Sequence, residues 1–192
     1  MSDVLKLTSP IPLSVNHYLG TRVVIKNGRP MAIVYETGEA KEYKEEFKKY
    51  ILEQIKLQNW DKPINKAQHF YCDCVFYFDR IDKDCNNYFK LLLDSITESE
   101  AVWADDNVVC ERVNRILYDS DSPRIEITIF PVDYVGVFDN HEQLNVFEER
   151  CKTCMRYSRN CSILNNAKDG RIQEEINNLI CSKYKERKGK KK

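Results

Sequence analysis

Hydrophobic and polar residues follow the patterns of both strands and helices along the first two thirds of the chain. Runs of β-branched and aromatic residues bounded by turn residues predict strands, and apolar residues spaced three to four apart predict helices. The hairpin signal is Asn27-Gly28, which stands between two β-branched runs. The predicted order is a strand at 3–7, a hairpin within 22–35, a helix at 37–59, a strand at 69–78, a helix at 84–99, and strands at 108–118 and 124–132. This order predicts an α+β fold.

The pattern changes after Tyr134. Two helical stretches, about 141–157 and 169–184, follow in a segment that is poor in apolar residues and holds four of the eight cysteines. We therefore expect a main domain at 1–134, a Cys-rich helical extension at 135–182 and a basic, disordered tail at 183–192.

Charge is balanced over the chain but not along it. The 192 residues contain 30 basic and 30 acidic side chains, and 42% are hydrophobic, which is enough for a core. The last ten residues hold seven basic side chains and one acidic side chain, so affinity for a polyanion must come from a local patch or from this tail. No run approaches 18 apolar residues, and the start lacks the layout of a signal peptide. We expect a cytoplasmic protein without a membrane span, whose cysteines stay reduced or bind metal.

Acidic residues and one lysine form the candidate chemistry. Asp84 and Asn86 stand at the start of the second predicted helix, and Lys90 lies one turn further on the same face. The helix leads into a loop with adjacent carboxylates, Asp105 and Asp106. If the loop returns to the helix start, the oxygens form a site for a hard cation such as Mg²⁺. Taken singly, each group has an ordinary role: Asp84 as a helix N-cap, the acidic pair as a turn, and Lys90 as a solvated lysine.

Three segments together, Pro12–Tyr18, Asp84–Lys90 and Asp105-Asp106, resemble the RusA family of Holliday-junction resolvases, endonucleases of phage and prophage origin. The family's marks are a P-x-S-x-N-x-x-Y-like start, a D-x-D-N-x-x-K helix opening and a D-D pair, and the resemblance covers residues 3–132. It implies a mixed sheet with two helices, to which this chain adds a Cys-containing helical C-terminal extension. It also implies an Mg²⁺-dependent hydrolase that cuts four-way DNA junctions in recombination and repair. Such a nuclease is a homodimer and, if phage-encoded, works in the cytoplasm of a bacterial host.

The resemblance also implies roles for single residues. Asp84, Lys90 and Asp106 match the catalytic positions, and the Mg²⁺ ligands are expected at Asp84, Asn86, Asp105 and Asp106. The family's second helix aspartate is replaced by Asn86, which offers a neutral oxygen and removes one negative charge from the site. Two alternatives stay open: a junction-binding protein with weakened catalysis, and a zinc-stabilised interaction module.

Local basic residues are the candidates for DNA contact, because the main domain is mildly acidic. For each of them, an exposed solubilising charge is an equally ordinary role. The candidates are Arg22, Lys26, Arg29, Arg80, Lys83, Arg112 and Arg115.

The eight cysteines fall into two groups. Cys151, Cys154, Cys161 and Cys181 follow the spacing C-x2-C-x6-C-x19-C and favour a tetrahedral Zn²⁺ site in a segment with little core of its own. An iron–sulfur cluster or unbound thiols remain the alternatives. The other four, Cys72, Cys74, Cys85 and Cys110, are expected to be small apolar core residues.

Overall fold

The computed structural model describes residues 3–62, 64 and 68–187, and the chain divides into two units after Pro131. The first unit holds β1 (Leu5–Pro10), β2 (Leu19–Lys26), β3 (Arg29–Glu36), α1 (Gly38–Gln58), β4 (Phe70–Phe78), α2 (Asn86–Glu98), a short 3₁₀ turn (Asp106–Val108), β5 (Val109–Tyr118) and β6 (Arg124–Pro131). The second holds α3 (His141–Lys152), α4 (Ile163–Lys168), β7 (Ile176–Asn177) and β8 (Ile180–Cys181). The α+β prediction is confirmed.

A mixed four-stranded sheet organises the first unit, with strand order β1-β6-β4-β5. The strand β4 runs parallel to β5 and antiparallel to β6, and β6 runs antiparallel to β1. Every second residue of β4 is buried, including Cys72 and Cys74, as their assignment to the core predicts. Cys85 and Cys110 are only partly buried. The helix α2 adds Phe89, Leu92 and Ile96 to the same core.

The hairpin β2–β3 forms a separate two-stranded sheet. Its turn is made by Asn27 and Gly28, which both have positive φ, at 52° and 73°. Two positive φ values in a row match the twist of the flanking strands, which is why Asn-Gly predicts this turn. Valine and isoleucine side chains of the hairpin are largely exposed, Val23 and Ile25 by 70% and 79%.

Capping residues fix the ends of α1. The Thr37 side chain accepts a hydrogen bond from the Ala40 N–H, and Asn59 closes the helix in the left-handed conformation. Lys44 is buried in the middle of this helix and donates to Glu36 at the end of β3 and to Glu98 at the end of α2. One ammonium group thereby joins the hairpin and both helices.

The second unit has a small core of four buried residues, Phe138, Leu144, Phe147 and Ala167. The first predicted helix, 141–157, is present as the shorter α3. The predicted helix at 169–184 is wrong: Gly170 ends α4 with a φ of 79°, and a hairpin with positive φ at Asn178 and Leu179 follows. These backbone angles are incompatible with a right-handed helix.

The basic tail begins within the described part of the chain. The Met155 N–H donates to the Lys185 carbonyl, and the Arg187 N–H donates to the Thr153 carbonyl, so residues up to 187 pair with the turn after α3. The rest of the predicted disordered tail lies outside the described residues. Within the described ranges, no helix combines the length and apolar character needed to cross a bilayer.

Candidate active site

The start of α2 places Asp84 and Asn86. The helix N-cap is Cys85 rather than Asp84, so the predicted cap is one residue too early. Asp84 nevertheless supports the first turn, since its Oδ1 accepts from the Asn86 N–H at 3.0 Å and its carbonyl accepts from the Asn87 N–H. Both Asp84 and Asn86 are exposed to solvent. The pair therefore presents oxygen atoms to a ligand at the open end of a helix.

Lys90 lies one turn further along α2, between two carboxylates. Its Nζ is 2.7 Å from Asp94 Oδ1 and 3.3 Å from Asp106 Oδ2. The hydrogen bond to Asp94 is the largest cause of the raised Lys90 pKa. Burial opposes it, and the bond to Asp106 adds to the increase. Lys90 is therefore fully charged at neutral pH.

The acidic loop is held by buried residues on both sides. Trp103 is 1% exposed and donates through Nε1 to Thr97 Oγ1 of α2 at 2.8 Å, and Val108 is also buried. Between these anchors, Asp105 Oδ1 accepts from the Asn107 N–H and Asp106 begins the 3₁₀ turn. This local order turns Asp106 towards α2, where it reaches Lys90.

The proline-containing segment also meets the start of α2. The Val15 N–H donates to the Asn87 carbonyl at 2.7 Å, and Ser14 Oγ is 2.8 Å from His17 Nδ1. An open cavity of about 490 Å³ lies along this contact. Its lining includes Pro12, Ser14, His17, Arg80, Lys83 and Tyr88. All three segments that were singled out in the sequence thus adjoin α2.

Sequence reasoning missed Asp94, which is the nearest acidic partner of Lys90. The signal was present, because positions four apart lie on one face of a helix. The spacing shows which residues lie near Lys90 along the helix, but it does not show that Asp94 and Asp106 would share one ammonium group. The pairing of Asp84 with Asp106 around one cation stays a prediction.

The donor atoms suit magnesium in kind. They are carboxylate and amide oxygens, and Mg²⁺ is commonly held by one or two carboxylates, with water and phosphate completing its shell. The Lys90 ammonium is itself a cation held between Asp94 and Asp106. Among the described residues, no three His, Cys, Asp or Glu side chains are grouped closely enough to hold one ion. A metal at this site would therefore rely on few protein ligands.

The candidate DNA-contacting residues differ in how they are engaged. Lys83 Nζ is paired with Asp79 at 2.6 Å, and Arg80 with Asp82 at 2.8 Å. Arg112 is held most firmly: its Nε lies 2.6 Å from Asp73 Oδ1, and its guanidinium lies 3.8 Å from the centre of the Tyr71 ring. The hairpin residues Arg22, Lys26 and Arg29 are exposed, as is Arg115 on β5, and the Arg22 guanidinium lies 5.5 Å from the Tyr35 ring centre.

The four C-terminal cysteines line one cavity of about 330 Å³ in the second unit. No disulfide joins any two of the eight cysteines, all of which lie in the described ranges.

Comparison with known proteins identifies the first unit. The sequence model of the family described as Endodeoxyribonuclease RusA matches residues 10–130. This match spans more than half of the chain and contains all three segments that meet at α2. A search of curated proteins finds no match. By this match and by the α+β fold that carries it, the chain belongs to the RusA family of endodeoxyribonucleases.

Proposed function

We propose that the chain is an Mg²⁺-dependent nuclease that cuts four-way DNA junctions during recombination and repair. Family membership makes it an endodeoxyribonuclease, a hydrolase of phosphodiester bonds, and implies a Holliday-junction substrate. The observation that carries the proposal at the level of residues is the 3.3 Å approach of Lys90 Nζ to Asp106 Oδ2. These groups come from different segments, and both match catalytic positions of the family.

Each residue has a role that follows from its chemistry. Asp84 and Asp106 would hold Mg²⁺ through their carboxylates. Asn86 would contribute its neutral amide oxygen, and Asp105 would bind through a coordinated water. When bound, the metal supplies positive charge beside the scissile phosphate and makes a coordinated water a better nucleophile. Lys90 neutralises the negative charge that develops on the phosphorus oxygens, because its ammonium is charged and already oriented.

Asn86 distinguishes this site from the family pattern. An amide oxygen coordinates a cation but carries no net charge, so the site attracts Mg²⁺ less strongly than one with a third carboxylate. We expect the metal requirement to be satisfied only at higher Mg²⁺ concentration. The same substitution supports the second candidate function, a junction-binding protein that has lost cleavage.

The exposed basic residues of the hairpin are the proposed phosphate contacts, since Arg22, Lys26 and Arg29 stand on one projecting element. Arg80, Lys83 and Arg115 are proposed to add contacts nearer to α2 and on β5, whereas Arg112 is engaged by Asp73. Neutralising Lys26 and Arg29 together is expected to weaken junction binding and to flatten its salt dependence. If the dependence of junction affinity on salt concentration is unchanged, the hairpin does not contact the DNA.

A homodimer would suit a two-fold junction, because two sites related by symmetry can cut two symmetrically placed strands. The strand β5 is an edge strand of the sheet with exposed apolar side chains, among them Val113, Ile116 and Tyr118. We propose that a second copy of the chain covers this edge. Sedimentation of the wild-type chain and of Ile116→Lys tests this: the variant should shift to monomer, and a wild-type monomer at micromolar concentration would contradict the proposal.

The decisive test is cleavage of a synthetic four-way junction with and without Mg²⁺. Asp106→Asn is expected to abolish cleavage, because it removes a ligand charge, while junction affinity stays within a few-fold of wild type. Asp121→Asn, a change at an exposed acid in the loop before β6, is the matched control and should cut normally. Full activity of Asp106→Asn would reject the site assignment, and binding without cutting by the wild type would favour the second candidate.

A further inference from the structure

The strongest unexplained feature of the second unit is the convergence of its cysteines. Cys151 lies in the last turn of α3, Cys154 in the turn that follows, Cys161 before α4, and Cys181 at the end of β8. All four line the cavity of about 330 Å³, although 30 positions separate the first from the last. Four cysteine thiolates are a common ligand set of a tetrahedral structural zinc site. We propose that Cys151, Cys154, Cys161 and Cys181 form a structural Zn²⁺ site that stabilises this unit.

A hydrogen-bonded backbone turn joins Cys151 to Cys154. The Cys154 N–H donates to the Cys151 carbonyl at 2.9 Å, which brings the two residues of the C-x2-C step to the same side. The Lys185 N–H donates to Cys154 Sγ at 3.5 Å. An N–H donor aimed at a cysteine sulfur favours its thiolate, which is the form that binds metal.

The other three thiols would complete the ligand set around the ion. Cys151 is partly buried and lines the same cavity as Cys154, Cys161 and Cys181. Ionised sulfurs that line one cavity repel one another in the absence of a cation. A dication at their centre removes that repulsion, so binding and thiolate formation support each other.

Charge around the cavity suits a zinc tetrathiolate, whose net charge is −2. Three basic side chains, Arg156, Arg159 and Lys183, line the cavity beside the cysteines. Lys168 lines it as well, paired with Glu148 at 2.8 Å. These basic groups would balance the negative charge of the loaded site.

The second unit also needs a stabilising element. Its core cluster contains four buried residues, and Cys151 and Cys181 pack at the edge of that cluster. Small units with so little buried apolar surface commonly depend on a metal or on disulfides. Since no disulfide is formed, zinc would supply the missing stabilisation at the edge of the core.

The side chains must move inward to take up an ion. In the described part of the chain, no three potential ligands already stand within reach of one metal. Rotation about χ1 moves a cysteine sulfur without moving its backbone, so the four sulfurs can turn towards the centre of the cavity they line. In the loaded site, each Zn–S distance should be about 2.3 Å.

The test measures metal bound to the full chain, purified without a histidine tag. We expect about one zinc ion per chain by elemental analysis, and sulfur-only coordination by X-ray absorption. Cys154→Ser and Cys161→Ser should each lose most of the zinc, whereas Cys110→Ser, on β5 of the first unit, should retain it. Chelation should lower the thermal midpoint of the wild-type chain, and added Zn²⁺ should restore it.

Two results would overturn the proposal. One is a metal-free wild-type chain whose melting is unaffected by Zn²⁺. The other is iron in place of zinc, with the visible absorbance of a cluster. If a variant fails to fold, the wild-type chain still tests the proposal, because its metal content and the reversible effect of chelation are measured directly. None of these measurements depends on junction cleavage, so the proposal stands or falls separately from the nuclease activity.

Discussion

Asp94 offers the sharpest test of how the α2 site works, because it contacts Lys90 and matches none of the positions assigned from the sequence. Its Oδ1 lies 2.7 Å from Lys90 Nζ, closer than Asp106 Oδ2 at 3.3 Å. We infer that Asp94 is a positioning residue that aims the ammonium group towards the substrate. Asp94→Asn keeps the shape of the side chain and removes the charge that holds Lys90.

The size of the effect follows from the exposure of the pair. A hydrogen bond to a charged group contributes about 1.5–3 kcal/mol when shielded from water. The Lys90 side chain is 55% exposed, however, so solvent screening reduces the contribution to about 1 kcal/mol. If this contribution is lost in the transition state, the cleavage rate should fall roughly five-fold. Junction affinity and the thermal midpoint should change little.

A double-mutant cycle separates positioning from a merely structural role. Single-turnover cleavage is measured for wild type, Asp94→Asn, Lys90→Gln and the double variant, at saturating Mg²⁺. If Asp94 acts through Lys90, its substitution should have no further effect once Lys90 is glutamine. An equal loss of rate in both backgrounds would refute the reasoning, because it would mean that Asp94 acts independently of the lysine.

Two further predictions concern charge at other positions. Asn86→Asp should lower the Mg²⁺ concentration needed for half-maximal cleavage several-fold, since it restores a ligand charge; a Mg²⁺ titration that does not shift would separate position 86 from the metal. Burial opposes ionisation of Asp73, but hydrogen bonds from Arg112 and Asn114 outweigh it and lower its pKa. Asp73 therefore stabilises the fold above the ordinary carboxyl pKa of about 3.9, and this contribution is lost as the pH falls through the lowered value. Asp73→Asn should then cost roughly 1 kcal/mol in urea unfolding at pH 7, and the difference from wild type should shrink below about pH 3.9; a difference that is constant with pH would contradict this.

The elements that the sequence predicts best are those with local causes. Asn27-Gly28 specifies its own turn, and the ends of α1 are set by Thr37 and Asn59, within two residues of the predicted bounds. The second predicted C-terminal helix is wrong because its prediction rested on apolar spacing alone. That spacing does not reveal the positive φ of Asn178 and Leu179.

The candidate site was only partly accessible to sequence reasoning. The order and spacing of the motifs indicate Lys90 and Asp106, and the structure brings these two together. The approach of Asp106 to Lys90 depends on the loop 104–107 folding back onto α2, and the buried Trp103 beside this loop donates to Thr97 near the far end of that helix. Long-range packing of this kind leaves no periodic trace in the chain.

The openness of the α2 site has a consequence for substrate choice. Asp84, Asn86 and Lys90 are all exposed, so the protein alone cannot exclude water from the reacting phosphate. A bulky branched duplex would have to exclude this water itself, by packing its backbone against these groups. Discrimination would then reside in the contour of the nucleic acid rather than in a pocket, and a small phosphodiester, which cannot seal the surface, would be hydrolysed poorly.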